Sequence, residues 1–333
     1  MSKILPKGIS RLFAIIPIVI LNLILPLNLH TMHLGGSSAF FLAWLTNFKL
    51  LMLAFGNGPL SQPSISFPRF AILACFPIKF QSNSEDIKEN PSQKDSKKGL
   101  KSIWNYVTKV LLICLFLKLY GCNHFIHPKL MWVIYSFHIY FGLEILLAIV
   151  GGFAKAIVGI ELEPQFDDPY LSTSLQEFWG RRWNIMVTKI LWPTVYEPVL
   201  KFCTWIMGRK WASMPAIFCV FLVSGLMHEL IFFYLGRGRP SGELIMFFVL
   251  HGVCLAIEVA IKKAIKGRWG LHWTIARPLT IGFVMITAFW LFFPEFLRCN
   301  PIGRAVEEYG ALDAFVRDVS AAVGLKSFSS EGS

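Results

Sequence analysis

MPAIFCVFLVSGLMHELIFFYLG, residues 214–236, decides how this chain has to be read. The stretch is about as long as an α-helix must be to cross the ~30 Å hydrocarbon core of a bilayer. Its interior holds one ionisable pair, His228 and Glu229. A charged group at that depth costs roughly 3 kcal/mol on insertion scales, so each one is a functional-site candidate by default. Ser224 and Gly225 stand one turn before His228 on the same helical face. Small residues there leave room for a substrate or for close approach of a second helix. A histidine bonded structurally to a neighbour and a histidine that does chemistry fit this stretch about equally well. Glu229 points ~100° away around the helix and reads as the cap of a polar contact.

Working outward, similar apolar runs occupy residues 11–29, 38–55, 102–120, 130–150, 244–261 and 275–294. The shorter stretches 66–80 and 185–206 are interrupted by Pro68, Pro77, Pro193 and Pro198, as short, re-entrant or interfacial segments would be. Of 333 residues, 55% are hydrophobic and 16% charged, against ~45–50% and ~25% in ordinary soluble domains. The expectation is an all-α integral membrane protein, a polytopic helical bundle with seven to nine membrane segments enclosing a catalytic cavity. A single domain covers 1–333, and the first apolar run is a retained signal-anchor span. Residues 81–101, QSNSEDIKENPSQKDSKKGLK, read as a hydrophilic loop with nothing to bury, cytosolic because lysine dominates it. Lys262, Lys263, Lys266 and Arg268 look cytosolic too. The loop after residue 29 has no Lys or Arg before Lys49, which suits the lumenal side, whereas Arg237 and Arg239 fit this topology poorly. No internal repeat is visible, which weakens a transporter reading.

The net charge of +12 lies between apolar runs, where it sets topology and meets anionic headgroups rather than nucleic acid. Seven cysteines, an odd number without a CxxC pair, give neither a disulfide framework nor a zinc site. The pairs His30/His33 and His124/His127 have HxxH spacing, but weigh roughly ten to one against metal binding. His251 and Glu258 are seven apart on one helical face and read as an interhelical polar seam, while His138 and Glu144 read as separate packing contacts. A second dense patch, ELEPQFDDPYLSTSLQEFWGRRWNIMVTKILWPTVYEP, spans 161–198. Trp beside charge is an interfacial composition, and Ser174 with Glu177 is a capping-box pattern, so a helix carrying FWGRRWN is expected to start there. GxSxG, GxxxxGK[ST], HxxxD and HxxxxD are all absent.

The runs PQFDDPYLSTSLQEFWGRRWN, TKILWPTVYEPV and VSGLMHELIFFYLGRGRP resemble the plant wax synthase-like branch of the membrane-bound O-acyltransferases, with the sterol acyltransferases of that branch the nearest in pattern. The resemblance extends from PKGISRLF to WLFFPEFLRCN. It implies transfer of a fatty acyl group from acyl-CoA to a lipid hydroxyl in the endoplasmic reticulum membrane. It also implies that His228 is the intramembrane histidine of that family and Asn184 its upstream polar partner. Members usually carry a further apolar segment ahead of the PKG run, so the N-terminal topology is expected to depart from the family pattern.

The chemistry expected on that basis gives His228 the role of base and Asn184 that of oxyanion donor. Acyl-CoA is a co-substrate and no cofactor or metal is needed. The partners are acyl-CoA, a lipid alcohol (sterol or fatty alcohol) and membrane lipids. Arg181, Arg182 and Lys189 are candidates for the coenzyme phosphates, with headgroup contact an equal reading. The alternatives are a long-chain-alcohol acyltransferase (wax synthase), a diacylglycerol acyltransferase and, outside the class, a multispan transporter.

Overall fold

The computed structural model describes residues 5–61, 66–76, 94–158, 165–265 and 270–322. Among these residues the chain is helical, with no strand. Six helices are long and apolar enough to cross a membrane: α1 (Ile9–Asn28), α2 (Met32–Ala54), α5 (Pro128–Phe153, continuing helical to Val158), α8 (Ser213–Gly236), α9 (Glu243–Ala264) and α10 (Trp273–Arg298). The 102–120 run lies inside a further helix, α4 (Lys94–Gly121), made less apolar by Lys109 and Lys118. Short α3 (Phe67–Cys75) would reach only about 14 Å, too little to span. Two bent stretches, α6 (175–182) and α7 (185–207), and α11 (Pro301–Ala322) complete the order.

The predicted loop 81–101 lies largely outside the described residues, but from Lys94 onward the chain is already helical, as part of α4. The prolines of 185–206 do break that segment: a wide turn at Trp192–Tyr196 separates Ile185–Leu191 from Glu197–Met207.

Buried polar groups of the bundle are spent on joining helices. The Asn22 amide donates to Asn47 Oδ1 at 2.9 Å, linking α1 to α2. Lys49, buried, donates to the carbonyls of Leu73 and Phe76 at 2.7 and 2.6 Å and so closes the end of α3. Lys109 pairs with Glu144 at 2.5 Å between α4 and α5. Glu229 accepts from the Leu244 N–H at 3.2 Å, capping α9 from α8 as the sequence suggested. The expected seam on α9 is present. His251, fully buried, donates from Nδ1 to the Phe247 carbonyl at 2.8 Å and meets Thr287 of α10 at 3.3 Å. Glu258 accepts from the first N–H groups of α6, Leu175 at 2.8 Å.

α8 and α9 lie closest to one another. A Cβ on Gly225 would stand 2.9 Å from the Ile245 Cα, and one on Gly252 2.7 Å from the Phe221 Cβ. Of the two roles open to the small residues before His228, Gly225 serves helix contact and Ser224 serves a cavity. Arg237, which agreed poorly with the charge topology, donates to the carbonyls of Pro26, Leu27 and Leu29. Its charge caps the α1–α2 connection, and that end of α8 lies with the loop after residue 29.

Candidate active site

His228 lies on one face of α8 with Ser213, Ile217, Val220, Phe221 and Ser224, the 3.6-residue spacing of a helical stripe. With Phe248, Leu255, Val259 and Lys263 of α9, these residues line a cavity of about 490 Å³. α6 and α7 supply the opposite wall, including Trp179, Arg181, Asn184, Thr188 and Tyr196, and Trp44 of α2 lies at the deep end. Ser213 and His228 are fifteen positions apart, about 22 Å along the helix axis. The cavity is therefore a long cleft. Lys263 donates to Ser213 Oγ at 3.0 Å at one end, and His228 stands at the other; exposed Arg181 also lines the cleft.

The imidazole is oriented by its own helix. Nδ1 lies 2.7 Å from the Ser224 carbonyl, which can only accept. Nδ1 therefore carries the proton and Nε2 the lone pair. Around the ring stand Phe248 at 4.2 Å, Trp44 at 5.2 Å and Phe292 at 6.4 Å between centroids. Aromatic surface therefore flanks the half-buried ring on several sides.

Asn184 is placed by a different device. The helix begins as expected, with Ser174 Oγ accepting from the Glu177 N–H at 3.2 Å. It ends at Arg182, however, before the end of FWGRRWN. Trp183 is extended and Asn184 is left-handed with φ 44°, a conformation that asparagine tolerates better than most residues. The break is pinned by Gln165: its carbonyl accepts from the Ile185 N–H and its side chain from the Met186 N–H, both at 3.0 Å. The Asn184 side chain makes no hydrogen bond among the described residues and lines the cavity. The indole N–H of Trp179, on the same wall, is buried and also without a partner there.

The three basic candidates separate. Arg181 lines the cavity, whereas Arg182 and Lys189 do not. The Arg182 guanidinium is turned the other way, donating to Glu177 Oε1 at 2.7 Å and to the Asp167 carbonyl at 2.8 Å. Burial raises the Glu177 carboxyl, but hydrogen bonds from Thr173 and Arg182 outweigh it and bring it down to about 2. Arg182 thus braces the turn that presents Asn184. Sequence reading passed over Lys263 as a cavity residue, and also Trp44, Trp179 and Tyr196. Trp44, Trp179, Tyr196 and Phe292 all fall in wide, π-type helical turns at 39–46, 178–182, 192–196 and 288–292. Such turns are frequent at functional sites, and hydropathy does not reveal them. Of the HxxH pairs, His33 is held by Glu308 at 2.6 Å. Among the described residues no three His, Cys, Asp or Glu side chains are grouped to hold a metal.

A multi-pass helical membrane protein with an oriented histidine and a free amide on one cavity is the class these features define. The profile of the Membrane bound O-acyl transferase family matches residues 162–250, the segment holding both Asn184 and His228. The chain is 45% identical over 320 residues to "Acyl-CoA--sterol O-acyltransferase 1" of Arabidopsis thaliana, covering 96% of this chain and 91% of that one. It is 44% identical over 306 residues to "Long-chain-alcohol O-fatty-acyltransferase" of Simmondsia chinensis, covering 91% and 86%. It is 41% identical over 310 residues to "Probable long-chain-alcohol O-fatty-acyltransferase 3" of Arabidopsis thaliana, covering 92% and 87%. The chain belongs to the membrane-bound O-acyltransferase family and is an O-acyltransferase.

Proposed function

We propose that this enzyme esterifies a lipid alcohol, a sterol first and a long-chain alcohol second, with a fatty acyl group taken from acyl-CoA. The observation that carries the reading is that one cavity is lined by a free imidazole nitrogen, of His228, and a free amide, of Asn184, with Lys263 at a basic mouth opposite His228. The coenzyme's phosphates meet Arg181 and Lys263 at that mouth, and its thioester arm lies along the α8 stripe towards His228. By charge bias, with Lys262 and Lys263 ending α9, the mouth is cytosolic. The membrane is that of the endoplasmic reticulum, where the named relatives' chemistry would find both lipid alcohols and acyl-CoA.

In the reaction, Nε2 of His228 takes the hydroxyl proton as the lipid oxygen bonds to the thioester carbon. The thioester carbonyl becomes an oxyanion and accepts from the Asn184 amide, a contact worth roughly 3 kcal/mol in comparable sites. Collapse of the tetrahedral intermediate breaks the carbon–sulfur bond. The leaving thiolate takes the proton from the imidazolium, which restores the neutral ring. No acyl-enzyme forms and no metal or other cofactor takes part. Exclusion of water at the deep end suppresses thioester hydrolysis.

The near-equal identities to a sterol acyltransferase and to a long-chain-alcohol acyltransferase, 45% and 44%, leave the acceptor to experiment. Microsomes from cells without neutral-lipid acyltransferases are supplied with labelled acyl-CoA and competing sterol, fatty alcohol and diacylglycerol. Ester formation that is lost in His228→Ala, with the variant inserted and folded, supports the reading. A His228→Ala variant as active as the parent rules out the base.

A further inference from the structure

A second cavity, of about 160 Å³, shares no lining residue with the first. It lies towards the other end of the bundle, where Arg304 reaches the carbonyls of Leu235 and His30. Its walls come from α2, α4, α5, α10 and α11. Most of its lining is apolar, with Leu117, Ile139, Phe296 and Val306 among it. Five polar residues interrupt that surface. His33 and Tyr309 are bonded to one another at 3.0 Å, and His33 also to Glu308; the other three are Tyr120, Tyr135 and His138. Their rings cluster, Tyr120 lying 5.1 Å from Tyr135 and 5.6 Å from His138 between centroids. None of the three makes a hydrogen bond among the described residues, and His138 Nδ1 is fully buried. An apolar pocket with a few convergent polar groups is the composition of a ligand site.

We propose that this cavity binds the hydroxyl end of a neutral lipid that carries a single hydroxyl. A hydroxyl matches the three groups because it both accepts and donates, accepting a hydrogen bond from a phenol and donating one to the imidazole nitrogen. The size sets how much of the lipid enters. An apolar cavity of ~150 Å³ holds a benzene-sized group, so a cavity of 160 Å³ receives the hydroxyl-bearing ring or the first few carbons only. The remainder has a path outwards, because Leu117 and Val306 on the rim are exposed, as are Leu312 and Phe315 further along α11. An anionic headgroup is disfavoured. The Glu308 carboxylate stands beside the cavity, held by the backbone N–H groups of Met32 and His33 and by the His33 ring, and the Arg304 guanidinium is already taken by carbonyls. No acyl transfer takes place here, since the base is in the other cavity.

The test is photoaffinity labelling of the full-length protein in lipid nanodiscs, with a diazirine sterol in one arm and a diazirine fatty alcohol in the other. Labelled residues are mapped by mass spectrometry. The expected result is saturable labelling within 117–139 or 301–309 in at least one arm, displaced by the unlabelled alcohol but not by its acetate ester. The double variant Tyr120→Phe, Tyr135→Phe keeps both rings and the fold, and loses roughly three- to tenfold in apparent affinity for each hydrogen bond removed. Labelling that does not saturate, that the ester displaces equally, or that the double variant leaves unchanged overturns the proposal. The readout requires no turnover, so it stands or falls separately from the role given to His228.

Discussion

Gly225→Ala is the substitution with the clearest consequence. The added Cβ would lie 2.9 Å from the Cα of Ile245, where ordinary contact begins at 3.4 Å, and the obstructing atom is backbone, which has no rotamer to change. α8 and α9 must therefore part by about half an ångström at this crossing. Replacing glycine in a helix interior by alanine gains about 1 kcal/mol of propensity, whereas overpacking a tight contact costs about 1–3 kcal/mol. The expected balance is a loss of up to ~2 kcal/mol. Gly142→Ala in α5 supplies the internal control, since a Cβ there meets nothing within 4 Å and only the gain applies. Thermal unfolding of both variants and the parent in one detergent decides the matter: Gly225→Ala should melt below the parent and Gly142→Ala at or above it. If Gly225→Ala melts as high as Gly142→Ala, the α8–α9 contact is not as tight as described, and the cleft it shapes loses its support.

Removing the Asn184 amide should lower turnover roughly 10²- to 10³-fold with little change in acyl-CoA binding. Asn184→Gly and Asn184→Ala should lose equally, because glycine tolerates φ 44° without strain; a loss confined to alanine would assign the effect to the backbone. Charge reversal at the mouth, Lys263→Glu with Arg181→Glu, should raise the KM for acyl-CoA, and more so at low ionic strength; an unchanged KM would move the coenzyme elsewhere. Glu177 gives a pH signature. Its folded carboxyl, at about 2, lies below the ordinary value of 4.5, so its stabilisation is complete above about 4.5 and disappears as the pH falls towards 2. Acid unfolding of Glu177→Gln should show a smaller slope across that window than the parent does, measured by intrinsic fluorescence.

Hydropathy alone picked out the six spanning helices, because apolar length is a one-dimensional property that the bilayer selects, although it also counted 102–120, where Lys109 and Lys118 make the helix less apolar. It also singled out His228, since an ionisable group inside such a run stands out at once. Capping chemistry is just as local: Ser174 caps the Glu177 N–H as the spacing predicts, while the Glu177 carboxylate accepts from Thr173, one residue earlier than the capping box would place it. What local pattern could not supply was the end of that helix: Gln165, distant from the break in sequence, holds Asn184 in its left-handed turn through backbone hydrogen bonds. Arg181 and Arg182 are adjacent and chemically alike, yet only the first faces the cavity, because Glu177 captures the second.

The sequence by itself therefore determined that the chain is a multi-pass helical membrane protein and marked the histidine of residues 214–236 as its candidate site. Only the tertiary structure decided which groups share that histidine's cavity. Asn184 is forty-four positions away from it and Trp44 far earlier, and no spacing rule connects them. They line one cleft because wide helical turns and the close α8–α9 contact bring three distant segments round it, where side chains are selected by packing rather than by order along the chain.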